Sequence, residues 1–190
     1  MGKVKNPKFF RVIHPFLMAF SSIFFQKKYL KGKFFDSNSL GWTWVIKGIL
    51  WQKILRFNPH IPWPVSPFMR ISNPYNIEFD VDNLDIFQQI GNYYQDMYGK
   101  IIIGRGTIIG PNVGIITANH DPTNLNRHLP SKDVVLGQKC WIGMNSVILP
   151  GVVLGDNTVV GAGSVVTKSF PEGNCVIAGN PAKIIKNSAH

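Results

Sequence analysis

The chain has 190 residues, 45% hydrophobic and 16% charged, which fits one sizeable domain with a small appendage and excludes a disordered chain and a polytopic membrane protein. Two cysteines, Cys140 and Cys175, are too few and too scattered for a disulfide framework or a zinc site. Residues 1–70 hold twelve Lys/Arg and one acid, Asp36, so all of the net +10 resides there.

This first segment is rich in Phe, Trp, Lys and Pro and reads as helical. A basic surface points to an anionic partner. No nucleic-acid motif accompanies it, whereas Phe9, Phe10, Phe16, Phe20, Phe24 and Phe25, followed by Trp42, Trp44 and Trp51, do. A membrane surface is therefore the expected partner, with the protein peripheral on the cytoplasmic face. The apolar run from Phe9 to Phe25 is short for a span and contains Arg11, His14 and Pro15, so it is expected to lie at an interface or pack on the protein. Lys27 and Lys28 follow it without a small-residue cleavage signature, which argues against a signal peptide.

Residues 72–100 read as degenerate early coils: Ile71 and Ile77 stand six apart, and no clean register follows. From Ile103 an aliphatic residue recurs at every sixth position, at Ile103, Ile109 and Ile115, then Leu136, Ile142, Ile148, Leu154, Val160 and Val166. Glycine follows at Gly104, Gly110, Gly137, Gly143, Gly155 and Gly161, and is expected to ease the corner backbone. A small or β-branched residue closes the interior of each hexad: Thr107, Val113, Cys140, Ser146, Val152, Thr158 and Ser164. Neither a helix nor an alternating strand has this period. Short parallel strands joined by tight corners do, each hexad forming one side of a triangular coil.

The spacing breaks once, between Ile115 and Leu136. The chain is expected to leave the coil as a loop over 121–133, which contains Pro122, Asn124, Asn126 and Pro130 and begins directly after His120. After Val166 the pattern ends at Phe170-Pro171, and Gly179-Asn180-Pro181 turns the chain away. The expected division is 1–70, a helical membrane-surface region, and 71–190, the coil.

Four stretches, Ile115 to Asp121 (IITANHD), Cys140 to Gly143 (CWIG), Val160 to Lys168 (VGAGSVVTK) and Ala178 to Lys183 (AGNPAK), together with the hexads, resemble the hexapeptide-repeat acyltransferases. The likeness runs from about Ile71 to Lys186 and is nearest to the maltose and galactoside O-acetyltransferases and the bacterial exopolysaccharide O-acetyltransferases. It implies a mainly β fold, a left-handed parallel β-helix, and a homotrimer that uses acetyl-CoA.

It also implies roles. His120 matches the general base, and a neutral imidazole suits removal of a proton from an acceptor hydroxyl. As sixth in its hexad, His120 should point outward. Asp96 is the candidate to orient it and Asn92 to bind acceptor. The main chain at Gly143 and Met144 matches the oxyanion donor. Ala162, Gly163, Thr167 and Lys168 match the walls of the CoA slot, and Lys183 and Lys186 match basic positions near its phosphates. Trp141, outward beside a hexad start, is expected to wall the CoA or acceptor slot or to bury itself against a neighbouring subunit. Small residues leave room for pantetheine, and lysines suit phosphate. Cys140 occupies an interior position and reads as core, not nucleophile.

The expected function is O-acetyl transfer to a sugar hydroxyl, in a surface polysaccharide or its lipid-linked precursor. Acetylation of an amino-sugar nitrogen or an antibiotic is the alternative within the enzyme class, and a β-helix scaffold subunit is the non-enzyme alternative. A γ-class carbonic anhydrase would need three histidines on the coil, but of His14, His60, His120, His128 and His190 only His120 lies on the repeat. No metal and no nucleic acid are expected.

Overall fold

A computed structural model describes residues 7–37 and 40–187. Lys3, Lys5 and His190 lie outside them, as do the side chains of Lys8, Phe9, Phe10 and Arg11. The chain divides into two compact units, Met1–Pro67 and Phe68–His190.

In the first unit, helix Pro7–Ser21 leads to a 3₁₀ turn Lys27–Tyr29 and a π-helical turn Lys33–Ser37. Helix Leu40–Gly48 runs into a second π-helical turn, Ile49–Ile54. Glycine permits close packing here: a Cβ at Gly41 would come within 2.7 Å of the Phe35 ring, and one at Gly48 within 2.8 Å of Phe25. Phe25, Leu30, Phe35, Ile61 and Trp63 are buried. The buried Gln52 side chain ties the end of the unit down, donating to Trp63 O at 3.1 Å and accepting from Val65 N at 2.9 Å. No helix among the described residues is long and apolar enough to cross a membrane.

The second unit is built of three parallel sheets visited in rotation. The first holds Arg70–Ile71, Tyr93–Gln95, Gly114–Ile116, Val147–Ile148 and Val165–Val166. The second holds Ile77–Phe79, Ile101–Ile103, Val134–Leu136 and Val153–Leu154. The third holds Ile108–Ile109, Trp141–Ile142, Val159–Val160 and Cys175–Gly179, with Ala182–Asn187 added antiparallel. Ile142 pairs with Val160, and Ile148 with Val166, so one coil takes eighteen residues, three hexads.

All nine hexad aliphatics are at most 3% exposed. The small interior residues tolerate hydroxyls because each finds a carbonyl: Thr107 Oγ1 donates to Gly137 O at 2.6 Å, and Ser164 Oγ to Gly161 O at 2.6 Å.

The corner glycines work differently from the expectation. The left-handed backbone falls two residues later in each hexad, at Gly106, Asn112, Lys139, Asn145, Asn157 and Gly163. The hexad glycines themselves are needed because successive coils touch there. A Cβ at Gly143 would lie 2.6 Å from Ala162 N, and one at Gly137 2.7 Å from Asp156 N.

The early coils lose their register for a visible reason. The 3₁₀ segment Val81–Gln88 stands in the chain where the first coil's third side would be. Its Asn83 joins the ladder by side chain instead of main chain, donating to Gly104 O at 2.8 Å and accepting from Gly106 N at 2.9 Å. At the far end the coil runs beyond Val166. Phe170 bridges Leu154, Cys175–Gly179 adds a further parallel strand, and the chain doubles back through a cis Asn180–Pro181 bond.

Candidate active site

The break in the hexads is a β-hairpin, not the loop expected over 121–133: His120–Asp121 pairs antiparallel with Asn124–His128. Its turn is set by Asp121, whose Oδ1 accepts from Thr123 N at 2.9 Å and from Thr123 Oγ1 at 2.6 Å. These two hydrogen bonds hold the Asp121 carboxyl below the usual carboxylate range. The hairpin is closed at its base by Leu129 N to Asn119 O at 2.8 Å and Lys132 N to Thr117 O at 2.8 Å.

His120 is exposed, as its hexad position requires. Its Nδ1 lies 2.7 Å from Leu125 O. A carbonyl can only accept, so Nδ1 carries the proton and, in the neutral ring, Nε2 carries the lone pair. The approach to His120 is held by Gln95: its Oε1 accepts from Thr117 N at 3.1 Å and Ala118 N at 3.0 Å, and its Nε2 donates to Ala118 O at 3.2 Å.

The other histidine of the hairpin, His128, lies against His120, ring centroids 4.2 Å apart and planes inclined by 36°. Tyr98 follows on its far side at 5.8 Å. Sequence reasoning passed over Gln95, Leu125 and His128. Gln95 sits in an early coil without clean register, and the contribution of Leu125 is main-chain. His128 was findable, since eight residues separate it from His120 around a Pro-Thr-Asn turn.

Asp96 is fully buried, and its Oδ1 accepts from Ser72 N at 3.0 Å and Asn73 N at 2.8 Å. Asn92 is likewise interior, with Oδ1 accepting from Val113 N at 2.9 Å. Beside it burial pushes the Tyr94 phenol up, against a smaller opposite pull from the Asn92 side chain. The group in contact with His120 Nδ1 is thus the Leu125 carbonyl.

A second constellation stands at another corner. Trp141, Gly143, Met144 and Ala162 line one cavity of about 400 Å³ with Gly110 and Pro111. Trp141 is 57% exposed and Met144 46%, so its wall is apolar and open. Gly143 N donates to Val160 O at 2.8 Å and is committed to the coil ladder. Met144 N lies 2.9 Å from where a Cβ on Gly110 would be. Gly163 has φ +70° with open space above it. Thr167 and Lys168 are exposed beyond the next strand, and Lys183 and Lys186 project from Ala182–Asn187. Cys140 is buried and its thiol is pushed up, chiefly by desolvation, which suits a core residue. No group of three metal-ligating side chains occurs among the described residues.

Residues 133–168 match the bacterial transferase hexapeptide family, six repeats. This part of the coil carries the hexapeptide repeats of that family. Among similar proteins is Escherichia coli K12 WbbJ, named for O-acetyl transfer in lipopolysaccharide biosynthesis, 46% identical over 103 residues covering 48% of this chain and 52% of that protein. Escherichia coli K12 WcaF, named for acetyl transfer in colanic acid biosynthesis, is 40% identical over 125 residues, 64% of each chain. A solved structure, a maltose O-acetyltransferase from Clostridium difficile 630, is 35% identical over 64% of each chain with a TM-score of 0.51. The chain thus spans between about half and two-thirds of the length of these relatives.

Proposed function

We propose that this protein is an acetyl-CoA-dependent O-acetyltransferase acting on a sugar hydroxyl of a surface polysaccharide or its lipid-linked precursor. The observation that carries the reading is the His120–Leu125 contact, which leaves Nε2 as an exposed base on a braced hairpin. His120 Nε2 takes the proton of the acceptor hydroxyl as its oxygen attacks the thioester carbonyl. Met144 N donates to the oxygen that gains charge. His120 then returns the proton to the departing thiolate. Trp141, Gly143 and Ala162 wall the slot for pantetheine, with Gly163 and Thr167 further along it and Lys168, Lys183 and Lys186 facing the phosphates. The names of WbbJ and WcaF support a polysaccharide as the acceptor class.

Acetyl-CoA consumption against free sugars, amino sugars and lipid-linked glycans tests the reading. Turnover on glycan hydroxyls is expected, and turnover confined to amines or to antibiotics would reject it. In the same assay, neutralising Lys168, Lys183 and Lys186 together should raise KM for acetyl-CoA about tenfold or more and flatten its salt dependence.

We take the coil to wind left-handed, as the family resemblance implies, and the assembly to be a homotrimer. Within one chain the slot lies at the corner between the third and first sheets, and His120 at the corner between the first and second. A neighbouring copy is therefore needed to bring donor and base together. Light scattering on active protein should give three times the chain mass of 21.3 kDa, and an active monomer would reject the shared cleft. The first unit, basic and aromatic, we assign to the cytoplasmic face of a membrane, where it meets a lipid-linked acceptor.

A further inference from the structure

The membrane-surface assignment concerns the whole first unit, but its aromatic residues divide into two groups. Phe25 and Trp42 are buried core, while Phe16 is 74% exposed and Phe20 54%. With Val12 (67%) and Ile23 (74%) they form one exposed row along helix Pro7–Ser21 and just past its end. A second row comes from a stretch that the sequence had not marked: Ile46 is 70% exposed, Leu50 47% and Ile54 65%, spaced four apart through helix Leu40–Gly48 and the π-helical turn after it.

The end of the first row reaches a cavity of about 340 Å³, lined by Ile23, Gln26 and Lys27 and, from the second stretch, by Lys53, the residue before Ile54. His60 completes its polar wall, and no acidic residue lines it. Lys53 Nζ donates to Pro59 O at 3.0 Å and to Ile61 O at 3.5 Å, carbonyls that orient the ammonium without neutralising it. The ammonium also stands over the Phe25 ring, 5.0 Å from its centroid. An ammonium drawn partly out of water costs free energy until an anion joins it, and burial here already lowers the Lys53 pKa.

We propose that this cavity binds the phosphate of an anionic lipid headgroup, with the two apolar rows inserted among the acyl chains on either side. The cations Lys27 and Lys53 and the His60 ring meet the phosphate, and Gln26 supplies a neutral donor. Phe16, Phe20, Ile23, Leu50 and Ile54 occupy the depth at which apolar burial and attraction to an anionic surface add. Exposed Lys28 and Lys31 extend the positive field around the mouth. The inference deepens the membrane-surface reading and rests on it, and it is independent of which sugar is acetylated.

The test is co-sedimentation of the full chain with phosphatidylcholine vesicles, with and without phosphatidylglycerol. Wild type should pellet with the anionic vesicles at low salt and much less with the neutral ones. Lys27→Gln with Lys53→Gln should weaken anionic binding roughly fivefold per charge removed. Lys27→Gln with His60→Gln serves as a second variant, because it leaves the Lys53 bonds to Pro59 and Ile61 intact. Phe16→Ser with Phe20→Ser and Ile54→Ser should reduce binding to both vesicle types. Acetyl transfer to a soluble acceptor should be unchanged in every variant.

Wild-type protein left in the supernatant would overturn both the cavity and the membrane reading. Wild-type binding that both charge variants retain in full would keep the membrane reading and overturn the cavity. Complete displacement from vesicles by sodium phosphate at matched ionic strength would mark a free-phosphate site and overturn the lipid assignment. Loss of the native oligomer in the Phe16/Phe20/Ile54 variant, without any vesicle binding by wild type, would assign the rows to a second copy.

Discussion

His120→Ala leaves the coil folded and acetyl-CoA binding intact while lowering turnover about 10²–10⁴-fold, the usual worth of general acid–base catalysis. The side chain is exposed, and the hairpin that carries it is closed by main-chain bonds, so its removal opens no cavity in the core. Isotope-labelled acetyl transfer measures the loss, and isothermal titration with CoA confirms that the donor slot survives. A variant keeping more than about a tenth of wild-type turnover would remove His120 from the base role. His128 sharpens the result. With its ring 4.2 Å from His120, it limits how far the His120 imidazole can swing. His128→Ala should lower kcat with little change in KM for acetyl-CoA, and His128→Phe, which keeps a ring, should restore most of it.

Asp96→Ala is expected to act on stability instead of chemistry. The carboxylate is fully buried and accepts from Ser72 N and Asn73 N; without it Asn73 N would lose this acceptor, while Ser72 N would keep Tyr94 O at 3.1 Å. One half-buried N–H left without a partner costs about 1.5 kcal/mol, a fall of about 5 °C in Tm for a chain of this size. Asp96→Asn keeps an oxygen acceptor and should retain most of the stability. Turnover per folded molecule separates the two readings of this residue. If Asp96→Asn stays folded and still loses turnover by a hundredfold, Asp96 acts on His120 after all, and the Leu125 carbonyl alone does not suffice.

How far the sequence was legible follows from where period and chemistry coincide. The hexads from Ile103 to Val166 could be read because a single interior aliphatic marks each side of the coil, and all nine are buried as the period requires. His120 was singled out because its stretch Ile115 to Asp121 resembles the family motif, and its sixth place in the hexad agrees with its exposure. The early coils could not, because Asn83 enters the ladder by its side chain and Val81–Gln88 replaces a strand with a 3₁₀ turn. The partner of His120 was hidden for a related reason. A main-chain carbonyl from Leu125 has no sequence signature, whereas a carboxylate such as Asp96 attracts attention and proves to serve buried N–H groups. The glycines were located correctly and explained wrongly: six-residue spacing cannot distinguish a left-handed corner from a place where coils touch.

The closed base of the hairpin separates two kinds of change. Ile103 pairs with Leu136 in the same register that Leu136 keeps with Leu154, although a whole hairpin intervenes on only one of these paths. Bonds from Leu129 to Asn119 and from Lys132 to Thr117 seal the corner before the excursion begins. Side chains over residues 122–127 can therefore change character without shifting a strand pair of the coil, while the Leu125 carbonyl keeps its place beside His120. A rigid spool with one replaceable finger can vary the surface beside His120 while its winding stays as it was.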